Sequence, residues 1–158
     1  MKGKIKMDDL QILPYTREQI KDVLTFERRL REEENFWGWE IDEAYEAAVE
    51  RSFQDPRFAN ALSLLAYRAG QVVGRIDAVL ICSRFDGSVK AYLDWICVLK
   101  SQRHRGAAQA LMAELRRRLR EAGADALTGL IAANPEAQRF YRSLEGAKIQ
   151  DEGIWIDL

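Results

Sequence analysis

The sequence predicts an α/β (α+β) domain built on a central sheet, and three observations carry that expectation. Apolar runs of strand length fill the middle of the chain and are separated by glycine-containing turns. Apolar residues at helical spacing mark two segments before these runs and two after them. Beyond the third middle run, strand and helix patterns alternate, as they do in crossover units. Together the patterns give about six to seven strands flanked by about four helices. At 158 residues the chain forms one domain, residues 1–158, with room for a substantial core.

The elements follow in order. Leu10 to Tyr15 can form a first strand, after which Thr16 offers an N-cap and Gln19 its capping-box partner. The next helix carries Ile20, Val23, Leu24 and Phe26 and runs into the charged stretch Arg28 to Glu34. Asn35 to Trp39 breaks the pattern, and Asp42 can cap a second helix with the apolar face Tyr45, Ala48, Val49 and Phe53. Asp55-Pro56 ends it. Leu62 to Arg68, Val72 to Cys82 and Val89 to Leu99 read as an antiparallel meander turning at Gly70 and at Asp86-Gly87. A helix from Gly106 to Ala122 sets Ala108, Leu111, Met112, Leu115 and Leu119 on one face and stops at Gly123. Asp125 to Ala132 is an apolar strand. Asn134 as N-cap and Pro135 at the first helical position then open a helix with the inner face Ala137, Phe140, Tyr141 and Leu144. Ala147 to Gln150 and Gly153 to Asp157 supply two terminal strands.

Composition narrows the class. Apolar residues make up 47% and charged residues 31%, an ordinary globular balance. A formal net charge of −1 gives no general attraction to nucleic acid or anionic membrane. No apolar run approaches membrane-spanning length, and Met1 to Asp9 lacks the apolar core of a secretory signal. These features predict a soluble cytoplasmic protein. Cys82 and Cys97 both sit in apolar strand-like runs, as core fillers rather than a disulfide or metal site. With a single histidine besides, no metal is expected.

The stretch Val98 to Leu111 carries the functional signal. Its basic turn, Arg103-His104-Arg105-Gly106-Ala107-Ala108, lies between a strand and a helix. Such a turn gathers backbone N–H groups at the positive end of a helix dipole, a geometry that suits a pyrophosphate. The plainer reading is an ordinary turn with two solvated arginines.

These six residues match the Arg/Gln-x-x-Gly-x-Gly/Ala signature of the GNAT superfamily, the acyl-CoA-dependent N-acyltransferases. Asn134-Pro135-Glu136-Ala137-Gln138-Arg139-Phe140-Tyr141 resembles its second signature, Asn-x-x-Ala-x-x-Phe-Tyr, and the likeness runs from about Gln11 onward. The resemblance implies a mixed central sheet with helices on both faces and a splay between the fourth and fifth strands. It implies acetyl-CoA as co-substrate, its pantetheine entering that splay and its diphosphate held by Arg103, His104, Arg105, Gly106, Ala107 and Ala108. Along the strand it points to Ile96, Cys97 and Val98, with the Ile96 N–H donating to the thioester oxygen and Val98 meeting the pantetheine amide. Asn134, Ala137 and Tyr141 would line the same arm, and Tyr141 would protonate the leaving thiolate. The chain departs from the pattern at Ala108, which the signature allows, and at Leu144-Glu145-Gly146-Ala147, where the family usually has Leu-Gly-Phe.

Several residues keep two readings. Tyr141 could equally be a core tyrosine on an apolar helix face. Asp94, taken to share a strand face with Ile96, and Asp77 are candidate bases, or else strand acids paired with Arg75 or a backbone N–H. Between Glu32 and Glu50 there is no Lys or Arg, and acids crowd around three aromatic residues. Glu33, Trp37 and Trp39 could therefore bind a cationic amine, or form a solvated face over packed rings. The expectation is acetyl transfer to a primary amine, most simply a small molecule. The alternatives are a protein N-terminus or lysine as acceptor, and a module that binds acyl-CoA without turnover. A homodimer through Trp37 or the Trp155 strand is compatible with all three; nucleic acid and membrane partners are not expected.

Overall fold

The antiparallel meander expected between Leu62 and Leu99 forms where the sequence places it, and helices pack on both faces of the sheet. The computed structural model describes residues 9–35 and 38–158. The elements are β1 (Gln11–Pro14), α1 (Ile20–Glu34), α2 (Glu43–Ser52), β2 (Ala61–Arg68), β3 (Gln71–Cys82), β4 (Val89–Val98), α3 (Ala107–Glu121), β5 (Ala126–Gly129) and α4 (Pro135–Ser143). The strands lie in the order β1-β2-β3-β4-β5, antiparallel except for the parallel β4–β5 pair. The sheet is therefore mixed, as expected. Among the described residues no helix is long and apolar enough to cross a membrane.

Alternation divides the sheet into two apolar layers. On one face Leu64, Ile76, Ala91, Leu93 and Val98 pack with Leu111, Leu115 and Leu119 of α3. On the other, Leu65, Val72 and Leu99 pack with Val23, Phe26 and Leu30 of α1. Gly74 lets α3 approach. A Cβ there would lie 3.1 Å from both the Cys97 carbonyl oxygen and Val98 Cγ2, and 3.2 Å from Leu111 Cδ1. Thr16 starts the first helical stretch, its N–H donating to Gln19 Oε1 at 2.7 Å. Asp42 caps α2 by accepting from the Tyr45 N–H at 2.8 Å.

Four expectations need correction. Among the described residues there are five strands rather than six or seven, because residues 147–158 form none. Asp151 adopts a left-handed φ of 62° and interrupts that segment, while Ile154, Trp155 and Ile156 stay exposed. The fifth strand spans four residues instead of the predicted Asp125 to Ala132. It stops at Gly129, where a Cβ would lie 3.2 Å from both Leu93 Cβ and its carbonyl oxygen. Cys82 is no core filler: it is exposed at the end of β3, and both cysteines are free thiols. Ala48 is exposed, and α2 buries no residue fully; it lies over α1 and presents Tyr45 to Glu27.

Gly74→Ala should destabilise the fold by about 1–3 kcal/mol, since one atom in the way is backbone and cannot rotate aside. Chemical denaturation would show it as a lower midpoint; an unchanged midpoint would contradict the close α3–sheet approach.

Candidate cofactor site

The backbone of β4 sets the site. Leu99 N–H donates to Val73 O at 2.9 Å, just past the point where Val98 pairs with Gly74 and Cys97 with Arg75. In an antiparallel ladder, hydrogen-bonded and non-bonded pairs alternate. Cys97 and Trp95 therefore turn their backbone groups toward β3, whereas Ile96 and Val98 turn theirs to the opposite edge. On that edge β5 accompanies β4 only from Lys90 to Leu93. Ile96 and Val98 thus present backbone groups where the two strands have parted. Val98 O accepts from Arg103 Nε at 3.3 Å, which confirms the direction. Cys97, expected in the same row, faces the other way: its backbone is turned to β3 and its thiol packs on the α1 side. Burial pushes that thiol up to about 12.

A β-bulge lies at the parting. Asp77 pairs with Trp95 and Ala78 with Leu93, leaving Asp94 as the extra residue. Asp94 is exposed, so its carboxylate needs no buried partner. The bulge also breaks alternation. Leu93 and Ile96 share one apolar cluster, so counting by two no longer places Asp94 on the face of Ile96.

The basic turn is pinned from beneath. Arg68, the buried last residue of β2, donates to Gln102 Oε1 at 3.1 Å and to the Arg105 carbonyl at 3.0 Å. Arg105 donates to the same Gln102 oxygen at 2.9 Å. Gly106 is the N-cap of α3 with a φ of 84°, a conformation glycine adopts without cost, and nothing lies within 4 Å of where its Cβ would be. Side chains cap α2 and α4, but α3 has no side-chain cap among the described residues. The first N–H groups of α3, including those of Ala107 and Ala108, therefore point out of the helix at its positive end. A cavity of about 240 Å³ lies against this turn, lined by Val98, Arg103, His104, Gly106, Ala108 and Phe140 among others.

Arg103 ties three elements together. Besides Val98 O it pairs with Glu34 at the end of α1, and its Nη1 lies 3.1 Å from Glu136 Oε2 in the first turn of α4. His104 Nε2 lies 3.6 Å from the other Glu136 oxygen. On α4, Asn134 Oδ1 accepts from the Ala137 N–H at 2.8 Å, so both residues serve the helix cap. Tyr141 is half-buried, and burial raises its hydroxyl above the ordinary phenol value. It lines a second, larger cavity of about 820 Å³ beside Tyr92, Leu93, Gly129 and Leu130, next to the strand parting. Phe140, which the sequence assigns to packing, supplies a wall of the cavity at the basic turn as well.

The remaining candidates are placed differently. Glu33 accepts from the Ser101 N–H at 3.0 Å and its hydroxyl at 2.7 Å, anchoring the short turn before Arg103. Its carboxylate is thus engaged at the basic turn. Trp39 is half-exposed, with the Arg31 guanidinium 5.5 Å from its ring centroid, so that ring already has a cation. Trp37 lies outside the described residues. Asp77 takes the paired alternative: Arg75 Nη2 donates to it at 2.9 Å and the Ser63 hydroxyl at 2.5 Å.

Sequence reasoning missed Arg68, Gln102, Glu136 and Glu27. Arg68 ends an alternating strand run, a position that gives no hint of burial. Glu27 did carry a signal, because it interrupts the helical stripe Ile20, Val23, Leu24 and Leu30. It is 3% exposed and accepts from Tyr45 Oη at 3.0 Å, with Arg75 Nη1 at 3.4 Å. Burial pushes its carboxyl above the ordinary value, against the opposing pull of Tyr45, Arg75 and Arg31.

The fold and the two signature stretches define a class. The profile of the Acetyltransferase (GNAT) family matches residues 24–145, and the chain belongs to that family. No curated protein matches the chain at a significant level. Among solved structures, an aminoglycoside acetyltransferase from an uncultured soil metagenomic sample, in complex with trehalose, superposes with a TM-score of 0.79 at 15% identity, over 94% of this chain and 96% of that one. AAC(6')-Iy in complex with the bisubstrate analogue CoA-S-monomethyl-acetylneamine gives 0.74 at 21% identity, over 95% and 98%. A ribosomal-protein-alanine N-acetyltransferase from Brucella melitensis biovar Abortus 2308 gives 0.72 at 17%, over 95% and 99%. At these identities the likeness establishes the GNAT fold.

The raised Glu27 carboxyl has a pH signature. The folded state keeps that proton where the unfolded chain has lost it, so Glu27 makes stability fall as pH rises from its ordinary value of 4.5. Denaturation midpoints of wild type and Glu27→Gln, compared across pH 4 to 8, should shift in favour of the variant with rising pH. Parallel curves would contradict the assignment.

Proposed function

We propose that the protein is an acetyl-CoA-dependent N-acetyltransferase whose acceptor is a small-molecule primary amine. One observation carries the reading: the backbone edge at Ile96 and Val98, left without a strand partner, leads directly to the uncapped N-terminus of α3. A thioester arm with an amide and a diphosphate needs that sequence of donors. The open cradle at Gly106, the cationic Arg103 and Arg105 and the His104 imidazole beside them fit the diphosphate. Acetyl-CoA supplies the activated acyl group.

This chain's residues do the rest. The amine attacks the thioester carbonyl directly in a ternary complex, forming the C–N bond as the C–S bond breaks. The Ile96 N–H stabilises the developing oxyanion, a contribution typically worth about two to three orders of magnitude in rate. Tyr141, kept protonated by its half-buried position, gives its proton to the departing thiolate and recovers one from the nitrogen as the amide forms. Asp94, exposed at the bulge, takes the ammonium proton through water. The aminoglycoside acetyltransferases among the structural neighbours favour a small amine.

Thiol release from acetyl-CoA, measured over a panel of amines including spermidine and an aminoglycoside, tests the reading. Turnover should fall by about 10²- to 10⁴-fold in Tyr141→Phe with the acetyl-CoA affinity largely kept. Acetylation confined to peptides would transfer the reading to a protein acceptor. Calorimetric binding of acetyl-CoA without turnover on any amine would leave a binding module.

A further inference from the structure

We infer that Glu136 acts as an internal counter-anion for the basic turn, which the cofactor's diphosphate must displace, and so sets the affinity for acetyl-CoA. The inference rests on the reading that this turn holds the diphosphate. Glu136 reaches across from α4 to two side chains of the turn, the Arg103 guanidinium at 3.1 Å and the His104 imidazole at 3.6 Å. Both groups also line the cavity against the turn, so the carboxylate engages two of the side chains that face that space. A second acid, Glu34, pairs with Arg103 from the α1 side. The two differ in accessibility: the Glu136 side chain is 43% exposed and that of Glu34 27%.

The consequence is competition between like charges. A diphosphate approaching the N-terminus of α3 seeks the side chains that Glu136 holds, and it meets the Glu136 charge at short range. Glu136 must rotate outward for the anion to enter. Arg103 does not lose its place in that exchange, because Val98 O and Glu34 still hold it.

Removing the charge while keeping the shape separates the effects. Glu136→Gln should bind acetyl-CoA roughly three- to tenfold tighter by calorimetry, the range expected for relieving one screened, half-exposed charge. Glu136→Asp, which keeps the charge, should show no such gain. S-acetylpantetheine, which lacks the diphosphate, should bind wild type and Glu136→Gln alike. Equal or weaker acetyl-CoA binding by Glu136→Gln, with wild type binding normally, would overturn this inference alone. An equal gain with S-acetylpantetheine would overturn it too, since the effect would not be electrostatic at the diphosphate. Failure of wild type to bind acetyl-CoA would overturn the proposed function, and this inference with it.

Discussion

The parting of β4 from β5 after Leu93 is the constraint on which the rest of the molecule depends. Up to that residue the two strands are ordinary parallel neighbours, and Gly129 lets them lie close. Beyond it, the bulge at Asp94 shifts the alternation of β4 and adds twist. Ile96 and Val98 are left with backbone groups that no strand takes up. Unpaired backbone donors inside a sheet are costly, and proteins keep them where something else is to be bonded. The antiparallel side of β4 stays intact through Val98, so the opening does not loosen the meander.

The two faces of the sheet stabilise this arrangement by different means. The α3 face is apolar and closely packed, with Leu111 and Leu115 fully buried. The α1 face contains a charged network that links Tyr45, Glu27, Arg75, Asp77 and Ser63. Its guanidinium lies 4.8 Å from the centroid of Tyr15 and 5.9 Å from that of Trp95. Networks of this kind add little net stability, yet removing one partner leaves the others buried and uncompensated. Their effect is on geometry: Asp77 and Trp95 face each other across the strand pair at the bulge, so the network fixes the side of β4 that the gap does not use.

Much of this was legible in the sequence, for identifiable reasons. The meander, both capped helices and the basic turn announce themselves through short-range chemistry, such as the Asp42 and Asn134 caps and the glycine at position 106. What was not legible depends on long-range contacts. Arg68 and Gln102 support the turn from residues 34 apart, and no local pattern reports that pairing. The face of Asp94 does not follow from a period of two, because a bulge lies at that residue. The orientation of the Cys97 backbone toward β3 is hidden for a related reason: apolar side chains do not reveal which way a backbone N–H points. The terminal strands failed because strand propensity at Ile154 to Ile156 does not provide a neighbour to pair with.

The contrast between the two thiols has a practical side. Cys82 is exposed at the far end of the β3–β4 hairpin, and Cys97 is partly buried with its ionisation suppressed. A maleimide dye reacts with accessible thiolate, so it would enter at one site without any engineered cysteine. The hairpin carries that site away from the turn, since Cys82 pairs with Val89 and Gly74 with Val98 at the opposite end. The native chain thus offers a single attachment point for fluorescence or surface immobilisation, distant from the groups that would meet a nucleotide.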